Sequence, residues 1–177
     1  RGTAKSTGKF GGATTEAFAR DASAAVAFLK NHNRINPMEI GLVGHSEGGL
    51  IAPMVVGLNK DIAFVVLLAA TGVDGAAITL SQSEAMLRAA GTAEDEIAIV
   101  MAVNRAVIGV VSKTEPGSDF SGELDIAVSG VIQTLPENIR EEAGKNIRTG
   151  IRAQLGRLQG DWMRFFLSYD PRPALTQ

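Results

Sequence analysis

The sequence has no cysteine and only 2 histidines among its 177 residues, and each scarcity excludes some chemistry. Without cysteine there can be no disulfide scaffold, no thiolate zinc site and no cysteine nucleophile. The lack of cysteine also leaves the compartment open between the cytoplasm and, with a signal peptide upstream, the periplasm or the exterior. A histidine base must be His32, His45 or a residue outside this sequence.

Aromatic residues are scarce as well, and neither sign of charge is in large excess. Aromatic residues make up 5% of the chain, and 17 basic residues face 19 acidic ones for a net charge of −2. This balance argues against a nucleic-acid partner. The longest apolar runs, such as residues 62–70, are far shorter than the roughly 20 residues that cross a bilayer, so we expect no membrane span. The 45% of hydrophobic residues still suffices for a folded core.

The ends of the sequence are typical of a segment cut from a longer protein. The chain begins Arg1-Gly2-Thr3, without methionine or a signal segment, and it stops within the turn-rich stretch 171–177. We therefore interpret it as an internal fragment. The run from Gly2 to Thr7 resembles a phosphate-binding loop but lacks the glycine before Lys5 and a preceding strand, so it predicts no phosphate site.

The first 74 residues alternate between helical and strand patterns. Thr14 or Thr15 is suited to cap a helix whose apolar residues recur at helical spacing as far as Leu29. The apolar runs 40–44 and 62–68 have the length of buried parallel strands, and a helical stretch lies between them. This alternation predicts an α/β fold with a parallel sheet and right-handed crossovers.

The next 90 or so residues are predicted to be helical, without a second strand–helix unit. The helical patterns cover 81–90, 94–111 and 137–166, and the polar stretch 115–121 is a candidate mobile loop. The sequence thus predicts three parts. These are a partial core over 1–74, a helical insertion over 75–168, and a truncated return to the core over 169–177.

The residues Gly44-His45-Ser46-Glu47-Gly48 match G-x-S-x-G, the nucleophile elbow. An apolar strand precedes Ser46 and a helix follows it, as the motif requires. We expect glycine at both flanking positions because a side chain there would collide with the neighbouring strand and helix. Ser46 is the candidate nucleophile, and the backbone N–H of Glu47 the candidate oxyanion donor at the positive end of a helix. A glycine-rich turn with an incidental serine is the alternative.

The run from Ile40 to Pro53 resembles the α/β-hydrolase fold and is most similar to bacterial serine esterases of the dienelactone hydrolase and prolyl oligopeptidase branch. The stretch from Arg1 to Gly8 resembles the Arg-Gly-x-Gly-x-Ser loop of that family, with Ala4 in place of the second glycine. The helical insertion resembles the family's lid. The resemblance implies a serine carboxylesterase of small-molecule esters that works through an acyl-enzyme on Ser46.

The resemblance also implies a triad in the order serine, acid, histidine, which this sequence does not complete. Both histidines precede Ser46, so His45 is interpreted as a structural residue packed around the strand and His32 as a surface or helix-end residue. Asp161 and Asp170 lie before the strand that should carry the acid and are interpreted as solvated or capping carboxylates. The acid, the base and a second oxyanion donor are expected outside the sequence. The polypeptide alone is therefore expected to be inactive and prone to associate.

The predicted lid holds two side-chain groups with two interpretations each. Among its clustered aromatic residues, Trp162 and Phe166 are candidates for a substrate pocket over Ser46, although packing of the lid helix explains the cluster as well. A basic stretch is either a solvated face or a surface that steers an anionic substrate. It comprises Lys145, Arg148, Arg152 and Arg157.

Other functions remain compatible with the sequence. A serine aminopeptidase or an acyltransferase uses the same elbow, and a non-catalytic binding module would keep the fold without the chemistry. The sequence has no metal-ligand cluster and no nucleotide fingerprint, so it implies no cofactor and no metal. It leaves the acyl group, the leaving group and the oligomeric state open.

Overall fold

The computed structural model describes residues 1–115 and 117–176, and it divides the chain into two compact units. We call residues 1–75 with those from Tyr169 onward the sheet unit, and residues 76–168 the helical unit. The three-part organisation drawn from the sequence stays a prediction, and its final residue, Gln177, lies outside the described residues.

Helices make up most of the described chain, and two short strands form one small sheet. The helices are α1 (Thr15–Lys30), α2 (Gly48–Leu58), α3 (Gly75–Ala89), α4 (Glu94–Val111), α5 (Ser121–Gln133), α6 (Glu137–Leu158), α7 (Asp161–Ser168) and α8 (Arg172–Leu175). The strands are β1 (Gly41–His45) and β2 (Phe64–Leu68), and a 3-10 turn at Pro37–Glu39 leads into β1. Within residues 1–115 and 117–176, every helix is too short or too polar to cross a bilayer.

Helix α1 begins where the sequence predicts. The side chain of Thr14 accepts a hydrogen bond from the backbone N–H of Ala17, which satisfies one of the unpaired donors of the first turn. The buried positions of α1 include Thr15, Ala19 and Val26. The sequence predicts an apolar face as far as Leu29. Leu29 is exposed, because the buried positions of α1 end one turn earlier, at Val26.

Strands β1 and β2 are parallel, in a register that pairs Gly41 with Phe64 and His45 with Leu68. Helix α2 packs on both strands and α1 packs on α2, around a small buried cluster. That cluster comprises Ala19, Val26, Ile40 and Val55. The coarse α/β prediction is confirmed as a small two-strand parallel sheet in a mostly helical chain, compatible with a partial α/β fold.

The prediction that the strands are buried is wrong, because β2 has no buried residue and Gly44 is the buried residue of β1. The exposure is greatest on one face of the sheet. Alternate residues of a strand point to opposite faces, so the register places Val43, Phe64 and Leu68 on the same face. These side chains are 68%, 55% and 50% exposed. They stay exposed because α2 packs against the sheet from one side only.

In its described residues, the helical unit has five helices around an apolar core. The buried members of this core are Val103, Val107, Val111, Phe120, Leu124, Val128, Ile132, Leu158, Met163 and Leu167. The predicted helix over 94–111 is confirmed as α4, and the predicted break before residue 137 is also confirmed. Helix α5 was missed, since its glycine and serine residues weaken the helical signal. The helix predicted over 137–166 is two helices, α6 and α7, separated at Gln159 and Gly160.

Residue Pro116 of the candidate mobile loop 115–121 lies outside the described residues, while Phe120 of the same loop is buried in the core. Buried Arg164 of α7 lies with its guanidinium carbon 5.8 Å from the centre of the Phe120 ring. The guanidinium donates to the carbonyl oxygens of Glu115 and Gln159. These carbonyls accept from the two terminal nitrogens and offset part of the cost of burying this charge, while the buried Nε has no hydrogen-bond partner among the described residues.

Candidate active site

Ser46 lies in a tight turn between the end of β1 and the start of α2. Its φ of +54° is in the left-handed region, which non-glycine residues rarely adopt. The turn is held on both sides, because the Ser46 N–H donates to the Leu68 carbonyl at 3.0 Å and the Gly49 N–H donates to the Ser46 carbonyl at 2.8 Å. The strand, strained turn and helix are the setting that the elbow motif requires, and the Ser46 side chain is exposed there.

The glycines around the elbow differ in how much space a side chain would have. A Cβ at Gly44 would lie 2.1 Å from the carbonyl oxygen of Gly48, so the predicted collision is confirmed at this position. The same prediction is wrong at Gly48, where no described atom beyond its chain neighbours and the nearby backbone of its own helix lies within 4 Å of an added Cβ. Gly49 is the close-packed position that the motif does not mark, since its Cβ would lie 2.3 Å from that of Ala70. The first turn of α2 is thus packed directly against Ala70, which follows β2.

Glu47 is the residue after the candidate nucleophile, and its side chain is directed to α1. Its backbone is helical, with φ −56° and ψ −31°, and it stands at the N-cap of α2. The Thr15 hydroxyl donates to Glu47 Oε1 at 2.7 Å, and Thr15 is fully buried. The two residues are 32 positions apart, so the sequence offered no signal for this pair.

Of the two histidines, His45 is exposed and His32 is half-buried. The prediction that His45 packs around the strand is wrong, because His45 is exposed on the same face of the sheet as Val43 and Leu68. The prediction for His32 is confirmed: it lies just after α1, and its Nδ1 accepts the Arg34 N–H at 3.3 Å.

The two carboxylates considered for the triad have local roles. Asp170 Oδ1 accepts the backbone N–H of Arg172 at 3.0 Å, and its carboxylate also accepts from the Arg172 guanidinium. These hydrogen bonds hold the pKa of Asp170 below its usual range. Asp161 is exposed in the first turn of α7, where a negative charge suits the helix dipole. The predicted solvated or capping roles are confirmed.

Trp162 and Phe166 stack on each other, with ring centres 5.1 Å apart and planes 11° from parallel. Both are half-buried against the core of the helical unit. Because Ser46 belongs to the other unit, their role in binding substrate stays a prediction. In the basic stretch, Arg148 pairs with Asp125 and donates to Ser129 Oγ at 2.9 Å.

The first residues form a closed loop that is attached to α1. The Gly2 N–H donates to the Thr7 carbonyl at 2.9 Å, and Arg1 pairs with Asp21 of α1 at 2.6 Å. Ala4 has a φ of +51°, a conformation that glycine adopts without strain. Ala4 therefore has a glycine-like backbone at the position where the Arg-Gly-x-Gly-x-Ser loop carries its second glycine. Within the two described ranges, no three side chains of the metal-ligating types gather into a metal site.

Comparison with protein families found one match. Residues 23–123, more than half of the chain, match the family described as BAAT / Acyl-CoA thioester hydrolase C terminal. The matched stretch contains β1, the Ser46 turn, α2 and β2. Comparisons with curated proteins and with solved structures found no match. The chain therefore belongs to the BAAT / Acyl-CoA thioester hydrolase C terminal family, a hydrolase-type domain of the α/β-hydrolase class.

Proposed function

We propose that this chain supplies the nucleophile of a serine hydrolase and that Ser46 is that nucleophile. The observation that carries the proposal is the left-handed φ of +54° at Ser46, in a turn between a parallel strand and a helix. Such strain at a non-glycine residue persists only where the surroundings enforce it, and it clusters at active sites. The turn exposes the hydroxyl and places it at the start of α2.

The reaction proceeds in two steps. Ser46 Oγ attacks the carbonyl carbon of the substrate while a histidine from outside this sequence takes the hydroxyl proton. The negative charge that develops on the carbonyl oxygen accepts a hydrogen bond from the Glu47 N–H, near the positive end of α2. The leaving group departs with the proton, and water then attacks the acyl-enzyme to release the acid and regenerate Ser46.

The substrate is a carboxylic ester, as the resemblance of the elbow implies, with a thioester as the second candidate. The family match favours the thioester, because its description names acyl-CoA thioester hydrolases. An ester and a thioester of the same acid give the same acyl-enzyme through tetrahedral intermediates of the same kind, and they differ in whether an alcohol or a thiol leaves.

A fluorophosphonate probe tests the nucleophile, since only an activated serine reacts with it. We expect the complete natural protein to be labelled at Ser46, Ser46→Ala to lose the label, and hydrolysis to fall by roughly 10⁴-fold or more. Ser81→Ala, at an exposed position of α3, is the matched control and should keep both. Absence of labelling at Ser46 would favour the non-catalytic module.

The rates on a nitrophenyl ester and on an acyl-CoA, measured side by side, distinguish the two substrates. The higher kcat/KM identifies the preferred leaving group, and Ser46→Ala should abolish both activities if one site serves both. The 177-residue polypeptide alone should be inactive, because the proposed base is not in it. Ester hydrolysis by this polypeptide that Ser46→Ala removes would contradict that expectation.

A further inference from the structure

The hydrogen bond between Thr15 and Glu47 joins the start of α1 to the elbow. Thr15 is the first residue of α1 and is fully buried, and its hydroxyl lies 2.7 Å from Glu47 Oε1. The acceptor is a carboxylate at the positive end of a helix, an arrangement in which a hydrogen bond is stronger than between neutral groups. Half-burial of Glu47 limits competition from water for this contact.

The backbone of Glu47 is held on its other side by α2. Its carbonyl oxygen accepts the Leu50 N–H at 2.9 Å and the Ile51 N–H at 3.1 Å. The peptide that joins Ser46 to Glu47 is restrained at both ends. Its own carbonyl, that of Ser46, accepts the Gly49 N–H, and Glu47 is held by its carbonyl in α2 and by its side chain on α1. That peptide carries the N–H which faces the oxyanion in the proposed function, and it adjoins the strained Ser46.

We propose that Thr15 is a positioning residue, which orients the Glu47 N–H toward the oxyanion by holding the Glu47 side chain. This inference rests on the proposed function. It assigns to α1 a role in transition-state stabilisation that goes beyond packing against α2. Loss of the Thr15 hydroxyl removes the restraint on the Glu47 side chain, while the Ser46 carbonyl stays bonded to the Gly49 N–H. The Glu47 N–H then tilts away from the oxyanion in the transition state, and substrate binding is unaffected.

The test measures kcat and KM for ester hydrolysis by the complete natural protein and its variants, below their melting temperatures. Thr15→Val keeps the shape of the side chain and removes the donor, and we expect kcat to fall by about 10- to 100-fold at unchanged KM. Thr15→Ser restores the hydroxyl and should restore kcat. Glu47→Gln keeps an acceptor oxygen without the charge, so its kcat should lie between those of the wild type and Thr15→Val.

Thr14→Val is the matched control, because it removes the cap of the same helix and leaves the Thr15 hydroxyl that bonds Glu47 in place. It should lower the melting temperature and leave kcat unchanged. The inference is overturned if Thr15→Val keeps the wild-type kcat, or if Thr14→Val and Thr15→Val lower kcat equally. If Thr15→Val does not fold, Glu47→Gln decides, and a wild-type kcat in Glu47→Gln overturns the inference. Ser46→Ala separates the two proposals, since full activity in that variant contradicts the proposed function itself.

Discussion

The sheet unit and the helical unit differ in where they store strain and where they bury apolar surface. In the described part of the chain, the non-glycine residues with left-handed φ are Ala4, Ser46 and Ala69, all in the sheet unit. The helical unit instead surrounds an apolar core, in which Phe120 is nearly inaccessible to solvent. The backbone distortion that chemistry needs thus lies in the sheet unit, which has a small buried cluster, whereas the larger apolar core lies in the helical unit.

The open sheet face and the core of the helical unit also differ in the exposure of their apolar residues. Val43 and Phe64 of the sheet are more than half exposed, whereas Leu124 and Val128 of α5 are both 2% exposed. A parallel sheet usually has both faces covered. The valine and leucine residues of the open face therefore contribute less to the free energy of unfolding than they would if they were buried. Substitutions matched between the units test this difference.

The largest expected effect is at the elbow of the sheet unit. Gly44→Ala in the 177-residue polypeptide should lower the free energy of unfolding by about 3 kcal/mol or more, because the new methyl group meets backbone that cannot move aside. Gly48→Ala is the control from the same motif and should be neutral or stabilising by about 0.5 kcal/mol, since the position is open and helical. Urea denaturation measures both. Equal effects would contradict the difference in packing between the two glycines.

The second prediction compares burial directly. Leu124→Ala removes a 2% exposed side chain from the helical core and should cost about 2 to 3 kcal/mol. Leu68→Ala removes a 50% exposed side chain from the open sheet face and should cost about 1 kcal/mol or less. Thermal unfolding of the two variants checks the ranking. A larger loss for Leu68→Ala would show that the open face is covered in solution, for example by association of the chain.

The smallest effect concerns surface charge, which should not distinguish the units. A hydrogen bond from Arg1 lowers the pKa of Asp21 in the sheet unit, and one from Arg88 lowers the pKa of Glu94 in the helical unit. A carboxyl with a lowered folded pKa stabilises the fold above its unfolded value of about 4, and this contribution disappears as the pH falls through the folded pKa. Arg1→Gln should raise the pKa of Asp21 in an NMR titration and leave that of Glu94 unchanged. An unmoved Asp21 would contradict the assignment.

Sequence patterns predicted the elements well where the signal is local. The cap at Thr14, the helix over 94–111 and the two parallel strands follow from short-range spacing and turn residues. Helix α5 and the break near Gly160 were missed, because weak helix formers and a glycine between two helical patterns change the periodicity little. The exposure of the strands was also missed, since apolar composition does not reveal which faces find a partner.

The sequence by itself determined the chemical possibilities. It excluded thiol chemistry, placed Ser46 between a strand and a helix, and left neither histidine in the order that a triad requires. Only the tertiary structure decided that Gly49 rather than Gly48 is closely packed and that Thr15 holds Glu47. The reason is physical, because a local motif specifies the backbone of its own turn, whereas these contacts join segments up to 32 residues apart that meet only after folding.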